Sequence, residues 1–298
     1  MGLDLSGCSS FLFYVPRLVR GIQSVHLAAL HLDPAQVAGR RRKKSTPESS
    51  SLANRAIVVN SIGAFMMLTL PEFVVPPSIA EAKIIQDTLR SKIRVVNDFG
   101  ELHTIAGVDV GYDIVRDLAH ASIVLLSLQN LEVLEAVQAF VPVSFPYVPG
   151  FLSFREIPAL LAALAKLTRV PDLLMVDGQG IAHPRRMGIA AHLGVLIDMP
   201  TIGVAKSCLA GRFEMPGLSR GSSSPLILGK ERIGTVLRSR DNVKPLFISP
   251  GHRVDVETSV ALTMQCLTRY RLPEPTRLAD KFSKIKKVND AADKELTL

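Results

Sequence analysis

Hydrophobic positions along this chain follow two periods, and the switch between them marks out its elements. After Pro76 and Pro77, apolar residues recur at helical spacing (Ile79, Ala82, Ile85, Leu89), which predicts a helix over 78–92. Short runs rich in β-branched residues then predict strands over 104–110, 121–128 and 134–141. A helix over 157–167, a strand over 173–176, a helix over 185–197 and a strand over 201–204 follow. Residues 217–224 read as a Gly/Ser-rich loop, 233–238 and 246–249 as strands. Residues 256–270 read as a helix with Val260, Met264 and Leu267 on one face. Strands in a meander, then strands alternating with helices, predict an α/β fold with a mixed β-sheet flanked by helices. No internal repeat is apparent.

Residues 1–71 do not share this pattern and read as an N-terminal extension. Short apolar pieces are followed by RRRKKSTPESSS, a basic and then Ser-rich run with the character of a linker or tail. The apolar stretch AIVVNSIGAFMMLTL is interrupted by Asn60, Ser61 and Gly63, and is too short and too polar to span a bilayer. The first residues, MGLDLS with Cys8 nearby, match a lipidation pattern, and RRRKK matches a nuclear address; an unmodified, solvated tail is the commoner meaning of both. A basic tail is expected over 283–298, leaving 72–282 as the working domain.

Composition changes this picture modestly. A chain of 298 residues with 47% hydrophobic content can fill a core without covalent staples. The cysteines, Cys8, Cys208 and Cys266, are odd in number and far apart, which argues against a disulfide framework or a structural zinc site and suits a reducing, cytoplasmic setting. A net charge of +8 favours a polyanionic partner. Much of it, however, sits at Arg40–Lys44 and at Lys281, Lys284, Lys286 and Lys287. A basic groove in the middle of the chain must therefore be argued from individual residues.

Three acids stand out chemically. Asp109 lies in an otherwise apolar strand, Asp177 ends another, and Glu156 immediately precedes the helix expected at 157. A single such acid is ordinarily a salt bridge or a helix cap, and Glu156 alone reads as an acid complementing a helix dipole. Three brought together would repel unless a cation held them, and such hard oxygen ligands select Mg2+, with Mn2+ as an alternative. The turn DGQGIAHPRR gives the backbone room beside a ligand and sets His183, Arg185 and Arg186 at a helix start, a suitable phosphate seat. Lys206 and His252 fall at strand ends, where open α/β sheets place their sites. Tyr147, held between Pro146 and Pro149, is a stiffly mounted aromatic able to stack on bases or wedge between them.

The motifs GVDVGY, PYVPGFLSFREIPALL, VDGQGIAHPRRMGIAAHLGVLIDMPTIGVAKS, KPLFISPGHRV and YRLPEPTRLAD, in this order, make the chain similar to the endonuclease V family from about residue 75 to 282. The resemblance implies a ribonuclease H-like fold and a Mg2+-dependent DNA-repair endonuclease. Such an enzyme recognises inosine and cuts the second phosphodiester bond 3′ to it, leaving 3′-hydroxyl and 5′-phosphate ends. It implies metal-binding roles for Asp109, Glu156 and Asp177 and auxiliary catalytic roles for His183, Lys206 and His252. It further implies a strand-separating wedge of Pro146, Tyr147, Val148 and Pro149, and a base pocket lined by Gly150, Leu152, Gly178, Gly188 and Leu209. Gln179 departs from the His that many bacterial relatives carry in the D-G-x-G motif. Inosine-containing DNA is the expected partner. An inosine-specific endoribonuclease and a non-catalytic nucleic-acid-binding relative are the alternatives. No membrane partner is expected, and a monomer is the default.

Overall fold

The computed structural model describes residues 55–59 and 65–284, so Cys8, the lipidation pattern, RRRKK and the chain beyond Lys284 lie outside the described residues. Part of the interrupted apolar stretch forms two antiparallel strands, β1 (Arg55–Val59) and β2 (Phe65–Thr69). Helix α1 (Ile79–Arg90) starts where Ser78 accepts a hydrogen bond from the Glu81 amide, the capping arrangement that ends the Pro-Pro entry. Its buried residues are Ala82 and Gln86, whereas Ile79 is exposed, so the helix turns a polar residue inward.

The meander expected first is present as β3 (Thr104–Asp113), β4 (Leu118–Ser127) and β5 (Val133–Pro142), paired antiparallel. Helix α2 (Leu152–Leu164) then leads to β6 (Leu173–Val176), and α3 (Ile189–Ile197) to β7 (Thr201–Ala205). Strands β8 (Ser223–Leu228), β9 (Glu231–Leu237) and β10 (Leu246–His252) complete one sheet, and α4 (Val256–Gln265) and α5 (Glu274–Ser283) end the described chain. The sheet order is β5-β4-β3-β6-β7-β10-β9-β8. Only the β3/β6 and β6/β7 pairs are parallel, giving the mixed, ribonuclease H-like sheet expected.

Alternation along β3 and β4 sorts the core into two layers. Ala106, Val108, Ala121 and Ile123 pack against Ile157, Leu160 and Leu193 of α2 and α3, while Ile105, Val124 and Leu126 pack against Leu262, Cys266 and Ala279 of α4 and α5. Helix α5 reaches β3 with small and polar residues, burying Pro275, Thr276, Ala279 and Ser283. It comes so close that a Cβ on Gly107 would meet the Pro275 carbonyl oxygen at 1.9 Å.

Several elements differ from expectation, among them α4, which ends at Gln265 rather than 270. Helix α2 begins at Leu152 rather than 157, because Phe151 and Phe154 bury together with Phe145 before Ile157 enters the main core. Helix α3 begins at Ile189 rather than 185, because Pro184 precedes an Arg186 with φ 61°, which no α-helix accommodates. Strand β8 occupies part of the supposed Gly/Ser loop. Helix α5 had no counterpart in the pattern at all, and it carries Ser283, the first residue assigned to the tail.

Candidate active site

The parallel strands β3 and β6 set the first two acids side by side. Asp109 points to the α5 face of β3, and Asp177 follows the last residue of β6, its amide donating to the Val108 carbonyl at 2.9 Å. Helix α5 brings Asp280 over them. Asp109, Asp177 and Asp280 each offer a carboxylate oxygen, and these oxygens lie within 4.8 Å of one another. Ser283, one turn beyond Asp280, donates to Asp109 Oδ2 at 2.5 Å.

The electrostatics are those of an acid cluster lacking sufficient countercharge. Burial holds the Asp109 carboxyl above its usual range, with Asp280 adding to the rise and the Ser283 hydroxyl opposing it. Burial also raises Asp177, to about 6, against the pull of Lys206 and with help from Asp109 and Asp280. Lys206 is the nearest cation, 2.5 Å from Asp177 Oδ2 and 3.0 Å from Asp280 Oδ1. Burial works to lower the Lys206 ammonium, yet the two carboxylates hold it above its usual value. Asp280 is depressed despite its burial, by Lys284 and Lys206. A divalent cation would relieve the strain on Asp109 and Asp177, and an all-oxygen donor set suits Mg2+ or Mn2+. The residues present fit such an ion.

Glu156 is not the third member of this group. It sits in the second turn of α2, on the other face of the sheet, where Tyr112 donates to its Oε1 at 3.2 Å. Burial lifts its carboxyl to about 8, partly offset by Tyr112 and reinforced by the charges of Asp109 and Asp177. It is therefore a neighbour of the cluster whose side chain keeps its proton near neutrality, and the helix-dipole reading fails because α2 starts four residues earlier.

Two clefts meet at the cluster. The first, about 390 Å3, is lined by Asp177, Glu156 and Lys206 together with Tyr147, Val148, Pro149, Gly150 and Leu152 of the loop and with Gly178, Gly188 and Leu209. Every residue assigned to wedge or pocket lines it except Pro146, which is exposed beside it. The second cleft, about 450 Å3, shares Lys206 and opens on the side of Asp109 and Asp280.

The loop carrying Tyr147 is firmly anchored. Phe145 and Phe151 are buried on either side of it, while Tyr147 itself is 71% exposed. Gly150, at φ +82°, turns its carbonyl toward three donors: Arg185 Nη2 at 2.7 Å, Gln86 Nε2 at 3.0 Å and His183 Nε2 at 3.1 Å. Because His183 Nδ1 accepts from the Arg185 amide, its Nε2 carries the proton. Burial and the Arg185 charge push His183 down to about 4, so it is a neutral brace for the loop and not a cation facing phosphate. Gln86 went unnoticed in the sequence. The only available signal was a polar residue on the inward face of a helix.

Other assignments change as well. His252 does not reach the cluster: it pairs with Thr201 at the start of β7, whereas Lys206 follows the end of that strand, about 17 Å away at strand rise. There it is buried, bonded to Asp198 Oδ1 at 3.0 Å and accepting from the Arg94 amide, a structural role between α3 and the chain before β3. Arg186 is likewise drawn off, to Glu231 at 2.5 Å. The glycines of the turn make room for the protein itself, since a Cβ on Gly180 would meet the Pro250 oxygen at 2.0 Å and one on Gly188 the Gln179 oxygen at 2.3 Å. Gln179 fixes its amide by donating to the Ser207 carbonyl at 2.8 Å, along the wall of the first cleft.

Known proteins resemble this chain in sequence and in fold. A family model described as Endonuclease V matches residues 87–281. Endonuclease V of Rippkaea orientalis is 54% identical over 211 residues, covering 71% of this chain and 92% of that protein. The crystal structure of endonuclease V from Streptomyces avermitilis matches with a TM-score of 0.67 at 45% identity, over 70% of this chain and 93% of that one. A variant of endonuclease V from Ciona intestinalis, in complex with a 23mer DNA containing an inosine followed by a ribo-adenosine, matches with a TM-score of 0.63 at 31% identity, over 71% and 97%.

Proposed function

The chain belongs to the endonuclease V family and is an endonuclease, and from that premise we propose that it is a Mg2+-dependent repair enzyme for inosine-containing nucleic acid. It would cut the second phosphodiester bond 3′ to the inosine, leaving 3′-hydroxyl and 5′-phosphate ends. The observation that carries this reading is the convergence of Asp109, Asp177 and Asp280 where a nucleotide-sized cleft ends. The DNA held by the Ciona relative supports the same substrate class.

Asp109, Asp177 and Asp280 would hold the cation. A bound divalent ion supplies charge neutralisation at the phosphate and a water activated for in-line attack. Lys206, already between two of the carboxylates, offsets negative charge on the scissile phosphate when those carboxylates turn to the cation. Tyr147 fills the gap left when the lesion base swings out, and the braced Gly150 carbonyl keeps that aromatic from yielding. The walls at Leu152, Gly178 and Gly188 exclude water around the flipped base. Hypoxanthine carries a carbonyl where adenine carries an amino group, so a backbone N–H at that edge would donate to hypoxanthine and leave adenine mismatched.

A ribonucleotide 3′ to the inosine in the Ciona complex also favours a second reading, an inosine-specific endoribonuclease. Matched strands carrying inosine or adenine, as DNA and as RNA, incubated with and without Mg2+, separate these readings. Cutting confined to inosine and to Mg2+ is expected; equal cutting of adenine strands, or cutting undiminished by a chelator, would overturn the proposal. Among the described residues no helix is long and apolar enough to cross a membrane. The free thiols of Cys208 and Cys266 suit the cytoplasm.

A further inference from the structure

The second cleft has no part in the account so far, although Asp109 and Asp280 form its inner wall. We propose that it seats the nucleotide immediately 3′ to the scissile bond, with its base laid on the exposed face of Phe140 and its phosphate toward Arg116. This subsite rests on the nuclease reading above and extends it to the far side of the cut.

Three features carry the inference. The clefts are continuous in function, since Lys206 lines both and the acid cluster stands between them. A strand entering through the first cleft and cut at the cluster therefore continues into the second. Next, Phe140 on edge strand β5 is 40% exposed, a large aromatic left open to solvent at the sheet's edge. Its ring lies parallel to the buried His120 ring opposite it in register, 4.1 Å away and tilted by only 12°. One face is thus backed by a buried ring, and the half-exposed residue lines the cleft, as a base-stacking platform requires. Finally, the cleft's outer rim is the β3–β4 turn, which holds its shape because Asp113 Oδ1 accepts from the amides of Val115 and Arg116. That turn offers the Arg116 cation with the 91% and 93% exposed Ile114 and Val115 beside it, a charge for phosphate next to apolar surface for a sugar or base. The volume, about 450 Å3, lies within the usual range for small-ligand sites of roughly 300–1,000 Å3.

The test uses the full chain in Mg2+ and a single strand kept whole by replacing the scissile P–O3′ bond with P–CH2. The fluorescent base 2-aminopurine stands at the second position 3′ to inosine, in DNA and RNA versions that report which strand the subsite prefers. Stacking quenches its emission. Wild type should quench it, Phe140→Ala should lose the quench and bind about tenfold more weakly, and Phe140→Tyr should restore both. Moving the probe three nucleotides further 3′ should make the quench indifferent to residue 140. Unchanged quench and affinity in a natively folded Phe140→Ala protein would overturn the subsite, as would a loss that Phe140→Tyr does not repair. If the Phe140-dependent quench is the same with adenine as with inosine, the inosine reading fails while the subsite stands.

Discussion

The site is assembled from two unlike halves. Asp109 and Asp177 extend from the paired centre of the sheet, where β3 and β6 are hydrogen-bonded on both sides and the Asp177 amide itself bonds Val108. Asp280 and Ser283 arrive on α5, the last described helix, held against β3 by small residues over Gly107 and Gly111. The sheet half is buried and raised in pKa; the helix half is more open, with the Asp280 side chain 21% exposed and depressed by two lysines. The acids fixed in the sheet are those whose carboxyls burial raises, whereas the third is carried by a separate helix packed on that sheet. Assembly of the cluster is therefore coupled to docking of α5.

Three changes would break or sharpen that contrast. The largest effect belongs to the sheet half: Asp177→Ala should reduce cutting of an inosine strand by more than about a hundredfold, since even outer partners of a metal cost 10–100-fold. Asp280→Ala should cost less, about 10–100-fold, and both should keep wild-type circular dichroism; equal losses would erase the distinction. Next, Gly107→Ala puts a methyl into the Pro275 carbonyl and should destabilise by about 1–3 kcal/mol in a denaturant melt. It should also lose activity to the same degree as Asp280→Ala, although it touches no acid. An unchanged melt with unchanged activity would show that α5 docks some other way.

The smallest effect concerns Glu156 and pH. Its folded carboxyl stands near 8 against an ordinary 4.5, so between those values the unfolded chain ionises while the folded protein keeps its proton. Stability from this group is therefore lost as pH rises from 4.5 to 8. Glu156→Gln, which cannot ionise, should raise Tm in chelator more at pH 8 than at pH 5. A gain that is equal at both would mean that Glu156 is already ionised at pH 5.

Legibility in the sequence followed the same division. The central strands were apparent because an Asp at the end of LLMV or inside an apolar run contrasts with its neighbours, and the ranges for β6 and the meander needed little adjustment. The first cleft was equally legible through the paired prolines around Tyr147. Helix α5 was missed although Leu278, Ala279 and Phe282 fall at helical spacing against the core, because the stretch is short and charged and Asp280 sits among lysines like any solvated charge. Gln86 was passed over, and His183 was read as a phosphate ligand, for a related reason. Their work is to hold the Gly150 carbonyl, and a contact between residues 64 and 33 positions apart leaves no local trace. Glu156 and His252 were placed by resemblance, and only the sheet's faces and ends reveal that one lies beside the cluster and the other at the far end of β7.

The central claim is that Asp109, Asp177 and Asp280 share a divalent cation, and a Mn2+ titration followed by electron paramagnetic resonance tests it without any substrate. Wild type should bind Mn2+, and Asp177→Asn should weaken that binding by more than about a hundredfold while the protein stays folded. Binding of equal affinity and stoichiometry in Asp177→Asn would contradict the account.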